Sequence, residues 1–210
     1  MNKTLQIENY IDYLYPNPPC MLNYTKDYEL LIAILLSAQT TDKMVNKVTN
    51  ILFNKYKSLE ELSCANYNDV MDILRPLGNF RKKASYVISV SSILHNNYND
   101  KVPKDREILE SLPGVGRKTV NVFFIEYYSE SIMAVDTHVD RVSKRLGLAS
   151  KDDSVLEVEK KLSKKLDKNK LGIRHKQLVL FGRYVCTSRN PKCSECKLND
   201  ICKYYKKGHH

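Results

Sequence analysis

Four of the six cysteines are crowded into one short segment, with the spacing C-x6-C-x2-C-x5-C; they are Cys186, Cys193, Cys196 and Cys202. Thiolates so close in sequence converge either on a metal centre or on disulfides, and the reducing compartment expected for this chain disfavours disulfides. Structural zinc sites more often use two C-x2-C pairs or Cys with His, and only one such pair occurs here. The residues therefore predict a metal centre, and the spacing alone leaves zinc open. The other two cysteines, Cys20 and Cys64, fall outside the pattern.

A second segment, Leu112-Pro113-Gly114-Val115-Gly116-Arg117-Lys118-Thr119, predicts a tight turn that leads into a helix. It is not a P-loop, because Arg117 stands where glycine must precede the lysine. It is not a dinucleotide fingerprint, because Thr119 stands where the third glycine belongs. Gly114 and Gly116 allow positive φ and let a phosphate approach the backbone, and their exposed amides would form an anion site with the start of the helix. A plain corner between two helices explains the turn equally well.

Lys118, in the first turn of that helix, could act as a nucleophile if its amine is neutral. An ordinary lysine has a pKa of about 10.4, so near neutral pH only about one amine in a thousand is uncharged. We expect partial burial, the neighbouring Arg117 and the positive end of the helix to lower the pKa. A solvated lysine is the ordinary alternative.

Asp136, within Val135-Asp136-Thr137-His138-Val139, precedes a helical pattern and is predicted to be its N-cap. A carboxylate held at that position could also stabilise positive charge on a reacting carbon and assist proton transfer. The two roles are compatible, because a cap holds the carboxylate in one orientation.

Hydrophobic periodicity predicts helices along the whole sequence and no strands, so the expected fold class is all-α. Glycine and proline number only seven each in 210 residues, which agrees with a helix-rich chain. Asp42 is the predicted N-cap of the third helix. The predicted helices cover residues 3–15, 28–38, 43–56, 58–63, 67–75, 81–97, 105–111, 117–128, 136–146, 154–166 and 174–185.

The chain carries 34 Lys+Arg against 24 Asp+Glu, a net charge of +10. This excess suits an anionic partner, either nucleic acid or an acidic membrane face, although a lysine-rich, AT-biased composition could produce it without binding. The longest aliphatic run, residues 30–36, is far shorter than the ~20 residues that span a bilayer, and no leader is evident. We therefore expect a cytoplasmic protein, and we assign no function to Gly208-His209-His210.

Together, the hairpin, the Val-Asp-Thr-His-Val segment and the cysteine spacing resemble the endonuclease III family of helix-hairpin-helix DNA glycosylases, over about residues 26 to 205. The resemblance implies that Lys118 is the catalytic nucleophile and Asp136 the catalytic aspartate. It implies that Cys186, Cys193, Cys196 and Cys202 hold a [4Fe-4S] cluster. Lys118 separates the chain from mismatch-adenine glycosylases, which lack the lysine.

The resemblance also implies two helical domains with a DNA-binding cleft between them. A six-helix domain with the hairpin is expected over residues 20–130, and an iron-sulfur cluster domain over 1–19 and 131–210. The expected activity is removal of oxidised pyrimidines from duplex DNA, followed by β-elimination at the abasic site through a lysine Schiff base. The expected partner is duplex DNA with damaged bases or abasic sites, not a membrane. The protein is expected to be a monomer and, in a bacterial source, to be associated with the nucleoid. A non-catalytic helix-hairpin-helix module with a structural metal is the alternative.

The residues expected to contact DNA lie in four segments of the sequence. Gln39 matches the residue that fills the gap left by a flipped nucleotide. The family usually has an apolar wedge after the glycine at position 78, whereas Asn79 and then Phe80 follow here, so either could take that role. Further expected contacts are Gly114, Val115, Gly116 and Arg117 in the hairpin, Arg189 and Lys192 in the cysteine segment, and phosphate contacts by Arg81, Lys82 and Lys83.

Overall fold

The computed structural model describes residues 2–208, which form helices and contain no β-strand. The all-α prediction is confirmed. The helices are α1 (Lys3–Leu14), α2 (Asp27–Leu36), α3 (Asp42–Lys55), α4 (Leu59–Ser63), α5 (Tyr67–Leu74), α6 (Phe80–Tyr98), α7 (Arg106–Ser111), α8 (Arg117–Tyr128), α9 (Thr137–Leu146), α10 (Val155–Lys165) and α11 (Leu171–Tyr184), with short 3-10 segments at Lys168–Lys170, Asn199–Ile201 and Tyr205–Lys207. Within residues 2–208, no helix is both long and apolar enough to cross a membrane.

Most helix boundaries lie within two residues of the predicted ones, with two instructive differences. Thr41, not Asp42, is the N-cap of α3: the Thr41 side chain accepts a hydrogen bond from the Met44 amide, and Asp42 is already helical. The expectation for Asp42 is therefore wrong. α11 begins at Leu171 rather than 174, because the 3-10 turn Lys168–Lys170 leads directly into it.

The chain divides into two compact units. The first, which we call the hairpin unit, is the continuous stretch Cys20–Tyr127 and contains α2 to α8. The second, the cluster unit, combines the chain through Pro19 with the chain from Tyr128 onward. The described hairpin unit has seven helices where six are expected, and one of them, α4, is only five residues long. Met1, His209 and His210, which the sequence assigns to the cluster domain, lie outside the described residues.

The hairpin unit is built around α2, whose ten residues are all buried. The helix is apolar from Leu30 to Leu36, as expected for one that is surrounded by others. Its two buried acids near the N-terminus have partners: Asp27 accepts a hydrogen bond from the Val102 amide at 2.9 Å, and Glu29 accepts from the Thr25 amide at 2.7 Å. The two buried carboxylates of α2 are therefore hydrogen-bonded within an otherwise apolar helix.

The cluster unit joins the two ends of the chain through α1 and α11. Ile7 and Ile11 of α1 belong to the same buried core as Phe181 of α11. Beside that core, the Arg174 side chain, only 3% exposed, donates from Nε to Glu8 at 3.1 Å and pairs with Asp12. A buried arginine needs such partners, because an unpaired charge in the interior is strongly destabilising.

Candidate active site and cluster loop

The turn between α7 and α8 is fixed by one glycine. Gly114 has φ +76°, and a Cβ atom there would lie 2.4 Å from the Tyr86 ring of α6, so any other residue would be strained and would force the ring to move. The Val115 amide closes the turn by donating to the Leu112 carbonyl at 3.0 Å. Of the two glycines that allow positive φ, Gly114 adopts it and Gly116 does not.

Gly116 is instead exposed and open, since a Cβ added there would meet nothing within 4 Å. Within residues 2–208, neither the Gly114 amide nor the Gly116 amide donates a hydrogen bond. Val115 differs, because its side chain is 4% exposed and its amide is used inside the turn. The expected contact of Val115 with DNA is corrected accordingly: the residue anchors the turn and does not present a side chain or an amide. Arg117 is exposed at the start of α8.

Lys118 lies in the first turn of α8 and is exposed. The expected partial burial is wrong, because the buried side of α8 is formed by other residues, among them Val120 and Phe123. The core thereby anchors the helix and leaves the Lys118 amine accessible. An exposed amine in the first turn of a helix is open to a ligand that approaches the turn.

Asp136 is the N-cap of α9, as predicted. Its Oδ1 accepts hydrogen bonds from the amides of His138 and Val139, at 2.9 and 2.8 Å. Oδ2 accepts no hydrogen bond within residues 2–208, so the carboxylate is oriented by one oxygen and keeps the other for a further interaction. Lys118 belongs to the hairpin unit and Asp136 to the cluster unit.

α9 is held closely against α11 at Gly182. A Cβ atom at this position would lie 2.9 Å from the His138 Cβ, and the Gly182 carbonyl accepts a hydrogen bond from Arg141 Nη2 at 2.7 Å. Burial lowers the pKa of His138; Arg141 and Arg183 act in the same direction, and Asp136 opposes them. The residues around the Asp136 cap are thus fixed by packing and by arginine hydrogen bonds.

Gln39 lies in the loop after α2 and is exposed, with φ +55°. This loop is held by Lys83 of α6, whose ammonium donates to the Leu36 carbonyl at 2.9 Å, the Ala38 carbonyl at 2.8 Å and Thr40 Oγ1 at 3.1 Å. Lys83 is 5% exposed, so the expectation that it contacts phosphate is wrong. Sequence reasoning missed this role, although one signal was present: position 83 lies on the same buried stripe of α6 as Val87, Val90 and Leu94.

Asn79 and Phe80 lie at the start of α6 in different environments. Asn79 is exposed, has φ +55° and makes no side-chain cap hydrogen bond. Phe80 is half-buried, and the Arg81 guanidinium lies 5.5 Å from its ring centre. Arg81 and Lys82 are exposed, as phosphate contacts require.

The four clustered cysteines line one pocket. Cys202 is buried and the other three are half-buried. Burial raises the pKa of the Cys196 thiol to about 11 and also raises that of Cys193. Between residues 2 and 208, no group of three His, Cys, Asp or Glu side chains is arranged as a single-ion site. Four thiols around one cavity fit a cluster that takes one cysteine at each of its four iron atoms.

Two arginines of α9 tether this cysteine segment, residues 186–202, which we call the cluster loop. Arg145 donates to the carbonyls of Thr187 at 2.6 Å and Ser188 at 3.0 Å, and its Nη1 lies 3.5 Å from Cys186 Sγ. Arg141 donates to the Cys186 carbonyl at 3.2 Å. These bonds place positive charge beside thiols that must be deprotonated to bind iron. Arg189 and Lys192 are exposed on the same loop.

Family comparisons cover nearly the whole chain. Residues 32–168 match the family described as HhH-GPD superfamily base excision DNA repair protein, and residues 186–202 match the iron-sulfur binding domain of endonuclease III. The endonuclease III of Bacillus subtilis is 42% identical over 94% of this chain and 92% of its own length. That of Escherichia coli is 38% identical over 98% of this chain and 97% of its own.

Solved structures agree with these relatives. A trapped covalent endonuclease III–DNA intermediate matches with a TM-score of 0.93 and 41% identity, covering all of both chains. A non-covalent endonuclease III–DNA complex matches with the same TM-score, 42% identity and coverage of 99% of this chain and 98% of the other. The chain carries a [4Fe-4S] cluster as its cofactor, as the matched iron-sulfur domain indicates. It belongs to the endonuclease III family of HhH-GPD base excision DNA repair proteins.

Proposed function

We propose that this chain removes oxidised pyrimidine bases from duplex DNA and cleaves the resulting abasic site by β-elimination, with Lys118 as the nucleophile. Its family makes it a DNA glycosylase and AP lyase of base excision repair. The damaged base and the residue roles are what we propose. The observation that carries the proposal is an accessible lysine in the first turn of α8, directly after the Gly114–Gly116 turn. A related endonuclease III has been trapped covalently on DNA, which supports a covalent step.

The proposed reaction begins when the neutral Lys118 amine attacks the sugar C1′. The new C1′–N bond replaces the bond to the base, which leaves with the bonding electrons and takes up a proton. Opening of the sugar ring gives a protonated Schiff base on Lys118. Loss of a proton from C2′ then expels the 3′ phosphate oxygen by β-elimination, and water releases the lysine. The steps need only the lysine amine, proton transfers and, for the final release, one water molecule.

Asp136 would act beside the reacting carbon. Positive charge develops at C1′ as the base departs, and a carboxylate stabilises such charge. Its Oδ1 is fixed by two α9 amides, so Oδ2 is the oxygen that would face the sugar or carry a proton. Capping thus pre-orients the group, and no rearrangement is needed when the substrate arrives.

The target nucleotide must leave the helix before the attack, at a cost of a few kcal/mol. We propose that Gln39 fills the gap that the flipped nucleotide leaves in the damaged strand. Asn79 takes the wedge position in place of an apolar residue, because it is exposed at the loop tip and its side chain makes no cap bond, whereas Phe80 is half-buried beside Arg81.

Phosphate binding would come from both units. The amides of Gly114 and Gly116, with Arg117, provide a sequence-independent anion site, and Arg189 and Lys192 add positive charge on the cluster loop. Cys186, Cys193, Cys196 and Cys202 would hold the cluster, which supplies a rigid anchor for that loop. A DNA-binding cleft between the two domains stays a prediction of the resemblance, as do the monomeric state and a cytoplasmic, nucleoid-associated location.

Borohydride reduction on DNA with an abasic site tests the nucleophile. Borohydride converts the Schiff base to a stable amine, so the wild-type protein should form a covalent adduct and Lys118→Ala should not. Lys101→Ala, which removes an exposed lysine elsewhere in the hairpin unit, is the control and should trap like the wild type. Trapping that persists in Lys118→Ala would overturn the assignment, and no trapping by any form would favour a non-catalytic module.

The substrate class needs a separate measurement. A panel of duplexes with oxidised pyrimidines, oxidised purines and mismatched bases, compared by single-turnover excision rates, should show oxidised pyrimidines removed fastest. Preference for a purine lesion would contradict the proposed substrate without affecting Lys118.

A further inference from the structure

We infer that Lys83 is a positioning residue for base flipping: it fixes the loop that carries Gln39 in the conformation that enters DNA. The inference rests on the proposed role of Gln39. Lys83 itself is buried and reaches no substrate.

The first support is the complete use of the Lys83 ammonium group. It has three N–H donors, and three acceptors surround it: the carbonyls of Leu36 and Ala38 and the hydroxyl of Thr40. These three residues span the end of α2 and the loop after it. One side chain of α6 therefore determines the path of the loop.

The second support is that burying a lysine at this position is energetically unfavourable. Lysine is almost never fully buried unless its charge is compensated, and burial lowers the pKa of Lys83. Val87 and Val90, on the same stripe of α6, show that the surrounding core accepts apolar side chains. A cation is favourable at the carboxyl end of α2, where helix carbonyls lack partners. The lysine thus serves the loop rather than the core.

The third support is the conformation of Gln39. A non-glycine residue with φ +55° is strained, and such strain persists only where neighbouring contacts enforce it. Lys83 bonds both residues that flank Gln39, Ala38 and Thr40. The backbone at Gln39 is therefore held in this conformation before DNA is bound, and it sets the point from which the exposed side chain extends.

α6 also connects this loop to the wedge. The Lys83 amide donates to the Asn79 carbonyl at 3.1 Å, in the first turn of the helix. The backbone of Lys83 thus contacts the residue at the wedge position, and its side chain contacts the Gln39 loop. If the Lys83 contacts are lost, ordering the Gln39 loop for insertion into DNA should require more free energy. This should slow base flipping and not the later lyase chemistry.

The test compares Lys83→Met, which keeps the length and apolar stem, with Gln39→Ala, Lys83→Arg and the control Lys55→Met. Lys55 is an exposed lysine of the same unit. Two rates are measured in single turnover: excision of an oxidised pyrimidine from a fully paired duplex, and borohydride trapping on a preformed abasic site, which is easier to extrude. Fluorescence of 2-aminopurine opposite the target reports unstacking directly.

We expect Lys83→Met to slow excision by about 10- to 100-fold and trapping by less than threefold, with weaker 2-aminopurine fluorescence. Lys83→Arg should recover part of the excision rate, and Lys55→Met should stay within twofold of the wild type. In the Gln39→Ala background, Lys83→Met should slow excision much less than it does alone, because residues that act as a unit are not additive.

Any of three results would overturn the inference. Lys83→Met could excise at the wild-type rate, it could lose excision and trapping equally, or its effect on excision could add fully to that of Gln39→Ala. If Gln39→Ala excises like the wild type, the proposed role of Gln39 is wrong, whatever Lys83 does. If Lys83→Met does not fold, Thr40→Val removes one acceptor and decides in its place: selective slowing of excision supports the inference, and no slowing or equal slowing contradicts it.

Discussion

The hairpin unit and the cluster unit hold their site residues by different means. In the hairpin unit, a continuous stretch of chain surrounds the buried α2, and the turn before Lys118 is set by Gly114 against Tyr86. In the cluster unit, two distant parts of the chain are joined by the buried Arg174 pairs, and arginine hydrogen bonds tether a loop without regular helices. Packing and backbone conformation set the turn before Lys118, whereas charged hydrogen bonds hold the cluster loop and reinforce the joint between α1 and α11.

The difference shows how each kind of site can be disturbed. Apolar packing responds to changes of shape and hardly to charge or pH. Charged links in a unit with a cofactor respond to loss of a ligand, loss of a partner charge and protonation. The two units should therefore fail under different substitutions, and four experiments can contradict or refine this view.

Loss of the cluster should have the largest effect and should be confined to one unit. Cys196→Ser removes a proposed ligand, so we expect the four iron atoms and the yellow-brown colour of the protein to be lost. Hydrogen exchange followed by mass spectrometry should show the cluster loop and α9 losing protection while α2 and α6 keep theirs. Cys64→Ser, which changes an exposed cysteine, is the control. Equal loss of protection in both units would show that they are not stabilised separately.

Arg174→Met should be the next most damaging change. It leaves Glu8 and Asp12 without their buried partner, and breaking such a pair typically costs about 3–5 kcal/mol. The free energy of local opening, measured by hydrogen exchange in α1 and α11, should fall by that order. Adding Glu8→Gln and Asp12→Asn should restore part of it. A loss below about 1 kcal/mol would mean that apolar packing dominates this unit as well.

Two glycine substitutions in the hairpin turn should differ in their effect on stability. Gly114→Ala puts a methyl group against the Tyr86 ring at a positive φ, and we expect about 2–4 kcal/mol of destabilisation, from overpacking and from backbone strain. Gly116→Ala meets open space and should change stability by less than about 0.5 kcal/mol. Thermal unfolding compares the two.

The same pair separates folding from binding. Gly116→Ala should weaken DNA binding in anisotropy titrations at fixed salt, because a methyl group would stand between the open turn and a phosphate. Unchanged affinity in Gly116→Ala would remove the turn from the proposed anion site.

The smallest effect concerns pH in the cluster unit. Because burial holds the pKa of His138 below its value of about 6.5 in the unfolded chain, the unfolded chain binds a proton that the folded chain resists. Stability should therefore fall as the pH drops below about 6.5. His138→Gln should flatten the dependence of the melting temperature between pH 7.5 and 5.5. Identical slopes in both proteins would count against the role of His138.

Helical periodicity predicted the fold class and most helix boundaries, because amphipathic patterns and caps such as Asp136 are local signals. Gly114 was recognisable for the same reason, since a turn between two helices needs a residue with positive φ. The proposed role of Lys118 and the type of metal centre came from the resemblance to a known family, because the cysteine spacing alone left zinc open.

Exposure and long-range pairing were not predictable from local patterns. Lys83 and Lys118 are the same residue type near the starts of two helices, yet one is buried and the other is exposed. The partners of Lys83 come from residues 43 to 47 positions away, and the two carboxylate partners of Arg174 come from more than 160 positions away. Only the folded chain brings such groups together.

The pairing of α1 with α11 also fixes the order in which the molecule can be completed during synthesis. Glu8 meets Arg174 across 166 positions, so α1 leaves the ribosome long before its partner is made. At about 5–20 residues per second, α1 waits on the order of 10 to 30 s, and the whole of Cys20–Tyr127 is translated in between. The hairpin unit therefore has time to fold first, and the unit formed from the two distant segments is completed last.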